Sequence, residues 1–165
     1  MKKFVIVTDS CSDLEKSVRE QYDIDYLPMY VTFGDTSMKV DLDWQEMSAK
    51  DFYDVMRNGT RVRSSQVPAF DYEEAFEEYV NNGYDILSIS CSSGLSSSVR
   101  ASEVAKTAVL ERHPDAKIYC IDSLISGYGL GLICIYASKL CAEGKLIVEV
   151  NEEIESFKMN VNQVG

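Results

Sequence analysis

The residues of this chain best suited to chemistry are hydroxyls. Seven of the eleven residues from Ser88 to Ser98 are serine, and Ser92-Ser93-Gly94-Leu95-Ser96-Ser97-Ser98 reads as a loop that opens into a helix. Serine hydroxyls and free backbone N–H groups at a helix N-terminus favour a carboxylate or a phosphate. The same residues also serve as plain helix caps and turn formers. Thr8-Asp9-Ser10 and Asp122-Ser123 each follow a short apolar run, and Ser64-Ser65 adds hydroxyls from a separate polar stretch, Arg61 to Ala69. Nucleophilic catalysis is poorly supported. Gly94-Leu95-Ser96-Ser97-Ser98 departs from G-x-S-x-G at its last position. The single histidine, His113, stands beside Pro114 at the far end of a helix, where it reads as an exposed residue rather than a base for serine. Cys91 is not followed by arginine six residues on, which argues against a cysteine phosphatase loop. Asp9-Ser10-Cys11 lacks a second carboxylate two residues on, which argues against an aspartyl phosphotransferase.

The elements that must position these groups alternate between strand and helix. Phe4 to Val7, Asp85 to Ser90 and Lys117 to Ile121 read as strands covered on both faces, and Ile24 to Phe33 reads as extended. Helices are predicted from Ser12, with Glu15 completing a capping box, and from Ser48-x-x-Asp51 to Asn58-Gly59. Another runs from Asp71-x-x-Glu74 to Asn82-Gly83, and one follows the serine loop as far as about Arg112. Tyr72, Ala75, Phe76, Tyr79 and Val80 form an apolar helical stripe, while Glu73, Glu74, Glu77 and Glu78 read as its solvated face. A long apolar helix stopped by Glu143-Gly144 follows Asp122-Ser123, and the tail from Lys145 to Gly165 reads as amphipathic helix. Gly127, Gly129 and Gly131 fall inside the long helix. Each costs up to ~1 kcal/mol relative to alanine, so close packing or a ligand against the helix is expected there. The expected fold is α/β, a three-layer α/β/α arrangement with a short, mostly parallel sheet. The strand ends would then bring Thr8-Asp9-Ser10, the serine loop and Asp122-Ser123 to one edge, where ligands bind in such sheets.

Composition narrows the partners. The chain has 165 residues, net charge −11 and 45% hydrophobic content, as expected for one globular domain with its own core. So acidic a surface disfavours nucleic acid or an anionic membrane surface. The five cysteines (Cys11, Cys91, Cys120, Cys134, Cys141) show no C-x-x-C spacing and have one histidine for company, so no metal site is expected. Their odd, scattered count fits a reducing, cytoplasmic setting. Met1-Lys2-Lys3 precedes an apolar run too short for a signal peptide. The charge-free stretch from Leu124 to Ser138 spans 15 residues, short of the ~20 needed to cross a membrane.

Four patches together resemble the DegV family of bacterial fatty-acid-binding proteins. Thr8-Asp9-Ser10-Cys11-Ser12-Asp13-Leu14 is similar to its T-D-S-x-x-D-L signature, and Ser64-Ser65-Gln66 with Pro68 to its T-S-Q-P. Ser92-Ser93-Gly94-Leu95-Ser96 resembles S-S-x-L-S-G-T, and Asp122-Ser123 with Ser126, Gly129 and Gly131 resembles D-S-x-x-x-S-x-G-x-G. The resemblance implies a carrier rather than an enzyme. It would hold a long-chain fatty acid such as palmitate, oleate or stearate, without a cofactor, and present it to the catalytic subunit of an ATP-dependent fatty acid kinase that feeds phospholipid synthesis. It further implies that Ser64, Ser96 and the Ser97 N–H bind the carboxylate. Thr8, Asp9, Ser10, Ser65, Ser93, Asp122 and Ser123 would be supporting loop residues, with Ser126, Gly129 and Gly131 along the acyl chain and helix packing. The sequence departs from the pattern in having serine at 64, Val67 before the proline, and Ser97 in place of glycine. The family's second, C-terminal domain, which supplies a head-group histidine that His113 does not match, is expected to be absent, so that residues 1–165 form the N-terminal domain as a fragment or truncated product. The residues by themselves leave two other readings open: a small α/β enzyme acting on a phosphorylated or carboxylated metabolite at the same sheet edge, and an interaction domain that pairs with a second copy.

Overall fold

The computed structural model describes residues 4–163. A parallel four-stranded sheet forms the centre, in the order β2 (Ile24–Leu27), β1 (Phe4–Asp9), β6 (Asp85–Ser90), β7 (Ile118–Asp122). Its strands alternate their side chains between two cores, as pleating requires. Ile6, Leu87, Ile89 and Ile121 face α5 (Gly127–Ala142) and α6 (Ile147–Phe157). Val7, Ile86 and Ile118 face α3 (Ala69–Asn81) and α4 (Ser98–Arg112), where Tyr72, Phe76, Ala105 and Val109 meet them. The result is the three-layer α/β/α arrangement. β6 is buried at all six positions.

A second sheet is small and antiparallel, ordered β4 (Thr36–Lys39), β3 (Tyr30–Phe33), β5 (Val62–Ser65). It accompanies α2 (Ala49–Arg57), which Ser48 caps by accepting the Asp51 N–H at 3.2 Å. The stretch from Ile24 to Phe33 forms two strands separated by Pro28 and Met29, and β2 and β3 belong to different sheets. Buried Arg19 ties the linker after β4 to α1 (Lys16–Tyr22), donating to the Leu14 carbonyl at 2.6 Å and pairing with Asp43 at 2.8 Å.

Local expectations differ from the structure in a few places, each for a physical reason. Arg61 to Ala69 is not all loop: β5 forms there because Ser64 and Arg63 pair with Val31 and Thr32 of β3, a long-range pairing that local composition does not announce. No helix starts at Ser12. A 3-10 turn occupies Ser10–Ser12, Asp13 is left-handed (φ 52°), and α1 begins at Lys16. The glutamate face of α3 is partly engaged, since Arg112 of α4 reaches Glu73 and Glu77 at 2.8 and 2.9 Å. His113 is half-buried and bonded to Glu77 at 2.6 Å rather than free in solvent. The tail helix ends at Phe157, with a 3-10 turn over Lys158–Asn160; its last residues, 164 and 165, lie outside those described.

Candidate functional site

The strand ends of the parallel sheet build one wall of an open cleft of about 550 Å³. β1 runs into the turn that carries Cys11, and β6 ends at Cys91, where the serine loop begins. Ser96, Ser97 and Leu95 of that loop line the cleft, as does Ser126 at the start of α5. The opposite wall belongs to the small sheet: Ser64 and Ser65 at the end of β5, then Gln66, with Met29 from the β2–β3 connection. Residues from five separate stretches of chain therefore converge on one space.

Internal bonds hold the first wall. The Ser96 and Ser97 segment is a tight turn, with the N–H groups of Leu95 and Ser96 both donating to the Ser92 carbonyl at 2.9 Å. Ser96 Oγ accepts the Ser98 N–H at 3.2 Å and lies 3.0 Å from Ser98 Oγ, which in turn accepts the Val67 N–H at 3.4 Å. Ser96 thus caps α4 from one position before the formal cap, and the Ser97 side chain makes no capping bond. Ser126, the cap of α5, makes none either. Two helix N-termini therefore open on the cleft with capping hydroxyls uncommitted to the helix. First-turn N–H groups and helix dipoles favour an anion in such a position. Among the described residues, no aspartate, glutamate, lysine or arginine lines the cleft. An anionic head would thus meet neutral donors and no carboxylate, in spite of the chain's net charge of −11.

The supporting residues act one layer back. Asp9 is fully buried, and its two carboxylate oxygens accept the Cys11 N–H at 3.0 Å and the Cys91 N–H at 2.8 Å. Burial pushes its carboxyl above the ordinary range, and those two bonds offset the rise only partly. Ser10 Oγ accepts the Met29 N–H at 3.0 Å and so attaches the second wall to the first. Thr8 is buried beside Cys134. Asp122 Oδ1 accepts the N–H groups of Ser93 and Leu124, both at 3.1 Å. Partial burial works to raise its carboxyl, but these bonds and the nearby Lys158 ammonium outweigh it and hold the group below the usual range. Ser123 Oγ donates to the Ile125 carbonyl at 2.9 Å, and the Ser92 N–H reaches that same carbonyl at 2.9 Å. Ser65 lines the cleft directly.

Gly129 and Gly131 are buried in α5 where it touches the loops of the sheet edge. A Cβ at Gly129 would fall 2.4 Å from Ile125 Cδ1; one at Gly131 would fall 2.6 Å from Leu14 Cδ2 and 2.9 Å from the Ser12 carbonyl oxygen. The absence of side chains lets α5 lie close to those loops and keeps Ser126 on the cleft. Five lining residues had no site role in the sequence reading: Cys11, Met29, Gln66, Cys91 and Leu95. The signal for Cys91 was its place directly after a buried strand, at the edge where ligands bind. Met29 had none, because its position depends on the contact between two sheets.

Fold and cleft together define an α/β binding domain whose site is an uncharged, hydroxyl-lined cleft at the sheet edge. The chain belongs to the DegV family: the family model, described as an uncharacterised protein family, matches residues 3–163. A DegV domain-containing protein of Clostridium perfringens is 40% identical over 158 residues, covering 96% of this chain and 54% of its own length. The chain thus spans about half the length of the relatives it matches. DegV of Bacillus subtilis, described as a fatty acid binding protein, superposes with TM-score 0.83 at 26% identity, over 96% of this chain and 55% of that one. The fatty acid kinase B3 protein of Streptococcus pneumoniae, loaded with linoleic acid, shares the fold with TM-score 0.79 at 23% identity, over 95% of this chain and 54% of that one. Among the described residues no helix is long and apolar enough to cross a membrane.

Proposed function

We propose that this chain is the N-terminal half of a DegV-type carrier that binds a long-chain fatty acid by its carboxylate. The observation that carries the reading is the convergence of Ser64, Ser96 and Ser97 on a cleft free of charged residues, with two helix N-termini opening on it. Ser64 and Ser96 donate hydroxyl protons to the carboxylate oxygens. The Ser97 N–H, for which the described residues offer no partner, is the third donor. Asp9, Ser10, Thr8, Ser65, Ser93, Asp122 and Ser123 hold the loops in place. Gly129 and Gly131 let α5 pack against the sheet-edge loops, which keeps Ser126 on the cleft where the acyl chain would start. Burying about 14 methylenes at ~0.8 kcal/mol each leaves ample affinity after ordering costs.

The chemistry of the cleft supports a carrier. It has hydrogen-bond donors but no general base, since His113 is engaged with Glu77 between α3 and α4. The carboxylate is itself the nucleophile: on a separate ATP-dependent fatty acid kinase it attacks the γ-phosphorus of ATP, giving acyl phosphate and ADP. The kinase-system name of the Streptococcus pneumoniae neighbour supports that partner. A cytoplasmic location follows from the need for ATP. Organic extraction of the purified chain with mass spectrometry tests the reading, and a stoichiometric long-chain fatty acid is the expected result. In titrations with a fluorescent fatty acid, the Ser64→Ala/Ser96→Ala double variant should bind at least about tenfold more weakly. Unchanged affinity in that variant would overturn the assignment of the head group.

A further inference from the structure

Beside the hydroxyls, the cleft holds sulfur. Cys11 and Cys91 both line it, and both are free thiols. One carboxylate brings their backbones together: the two oxygens of buried Asp9 accept the two cysteine N–H groups, at 3.0 and 2.8 Å. Strand register agrees, because continuing β1 and β6 from Val7 opposite Ser88 sets Cys91 beside Ser10, one residue from Cys11. The Cys11 thiol donates to Met29 Sδ at 3.2 Å, and Cys11, Met29 and Cys91 line the same cleft. A disulfide requires Cα atoms about 4.4–6.8 Å apart and side chains that face each other; the shared carboxylate draws the two backbones together, and both side chains border the same cleft. The remaining cysteines have no such arrangement: Cys134 is sealed in the core between the sheet and α5, and Cys120 faces the opposite core.

We propose that Cys11 and Cys91 form an oxidisable dithiol in the wall of the cleft, a modification site whose substrate is a hydroperoxide and whose product is an intramolecular disulfide. One thiol of the pair, as its thiolate, attacks the distal oxygen of R–O–O–H; the O–O bond breaks, an S–O bond forms, and R–O⁻ leaves to take up a proton as the alcohol. The other sulfur then attacks the sulfenic sulfur, the S–O bond breaks, and water departs. The sum is two thiols plus one hydroperoxide giving one disulfide, one alcohol and one water, with two electrons passed to the peroxide. Although Cys91 is only 1% exposed, it borders a cleft wide enough for a molecule little larger than water. This inference does not depend on the fatty acid reading, because it concerns sulfur atoms that lie together whatever the cleft binds.

The test treats the whole purified chain, first reduced, with hydrogen peroxide. Remaining thiols are alkylated under denaturing conditions, and non-reducing digests are mapped by mass spectrometry. The expected product joins the Cys11 peptide to the Cys91 peptide, two hydrogens lighter than their sum. It should be reversed by dithiothreitol and be about tenfold more abundant than any other pairing. In Cys11→Ser and in Cys91→Ser, neither of which can close the bond, dimedone should label the remaining cysteine of the pair. Independent alkylation or over-oxidation of Cys11 and Cys91 without cross-link would overturn the proposal, as would cross-linking spread among Cys120 and Cys141.

Discussion

The two walls of the cleft are made differently. The wall carrying Ser96 and Ser97 grows from β6, a strand buried along its whole length between two helical layers. Its turn is held by the Leu95 and Ser96 N–H bonds to the Ser92 carbonyl and by the bonds between Ser96 and Ser98. The wall carrying Ser64 and Ser65 is β5, an edge strand of a three-stranded sheet, exposed at three of its four positions. It is joined to the rest through the Ser10–Met29 bond and the Val67–Ser98 bond. A strand with one paired edge and few apolar contacts opens at low free energy, whereas a central parallel strand opens only with global unfolding. The comparison teaches that one wall can serve as a fixed donor platform while the other supplies a donor that adapts to the ligand.

Four measurements would break or sharpen that contrast. The largest effect belongs to the platform: Ile89→Ala should cost about 2–5 kcal/mol in urea unfolding by leaving a cavity between β6 and α5. Phe33→Ala in the half-buried small sheet should cost clearly less, and equal costs would erase the distinction between the walls. Next comes Gly131→Ala, whose added methyl meets the Ser12 carbonyl oxygen as well as a leucine tip; a loss of about 1–3 kcal/mol is expected. The backbone oxygen cannot turn away as a side chain can.

Asp9→Asn replaces one of two accepting oxygens by an amide NH₂ that opposes a cysteine N–H, and should cost about 1–3 kcal/mol. The pH dependence sharpens this case. The carboxyl of Asp9 is raised in the folded chain, so between its ordinary and its folded value the native state keeps a proton that the unfolded chain releases. Its contribution therefore lowers stability as pH rises through that interval. Asp122 is held below its ordinary range, so its contribution is present above that range and is lost as pH falls through the folded value. Unfolding free energy measured against pH should lose the first slope in Asp9→Asn and keep the second. The smallest stability effects separate the two serines proposed to bind the head group. Ser96→Ala should cost about 0.5–1.5 kcal/mol because its oxygen serves the Ser98 N–H. Ser64→Ala should stay within about 0.5 kcal/mol, although the proposed function has both variants weaken fatty acid binding. Equal thermal shifts for the two variants would mean that the Ser96 bonds add nothing to the folded state.

Much of the site was legible in the chain because its parts are local. Serine-rich turns after apolar runs mark strand ends, and strand ends of a parallel sheet share one edge. Those two facts are enough to group Asp9, Ser96 and Asp122 before any coordinates. Gly129 and Gly131 advertised close packing through their helix cost, and Leu14, Ile125 and the Ser12 carbonyl turned out to be the atoms that need the space. Capping at Ser48 was equally readable, since it joins residues three apart.

Other features needed the folded molecule. β5 exists because Ser64 pairs with Val31, more than thirty residues away, and nothing in Arg61 to Ala69 encodes that partner. The division of one extended run into β2 and β3, in separate sheets, likewise depends on which edge each strand finds. The pairing of His113 with Glu77 and the meeting of Cys11, Cys91 and Met29 are contacts between distant segments. Periodicity and capping are written in neighbouring residues, so the sequence determines the layers and the edge where the hydroxyl-bearing loops gather. Which groups face each other across that edge depends on long-range register and on the seating of one sheet against another, and only the tertiary structure decides it.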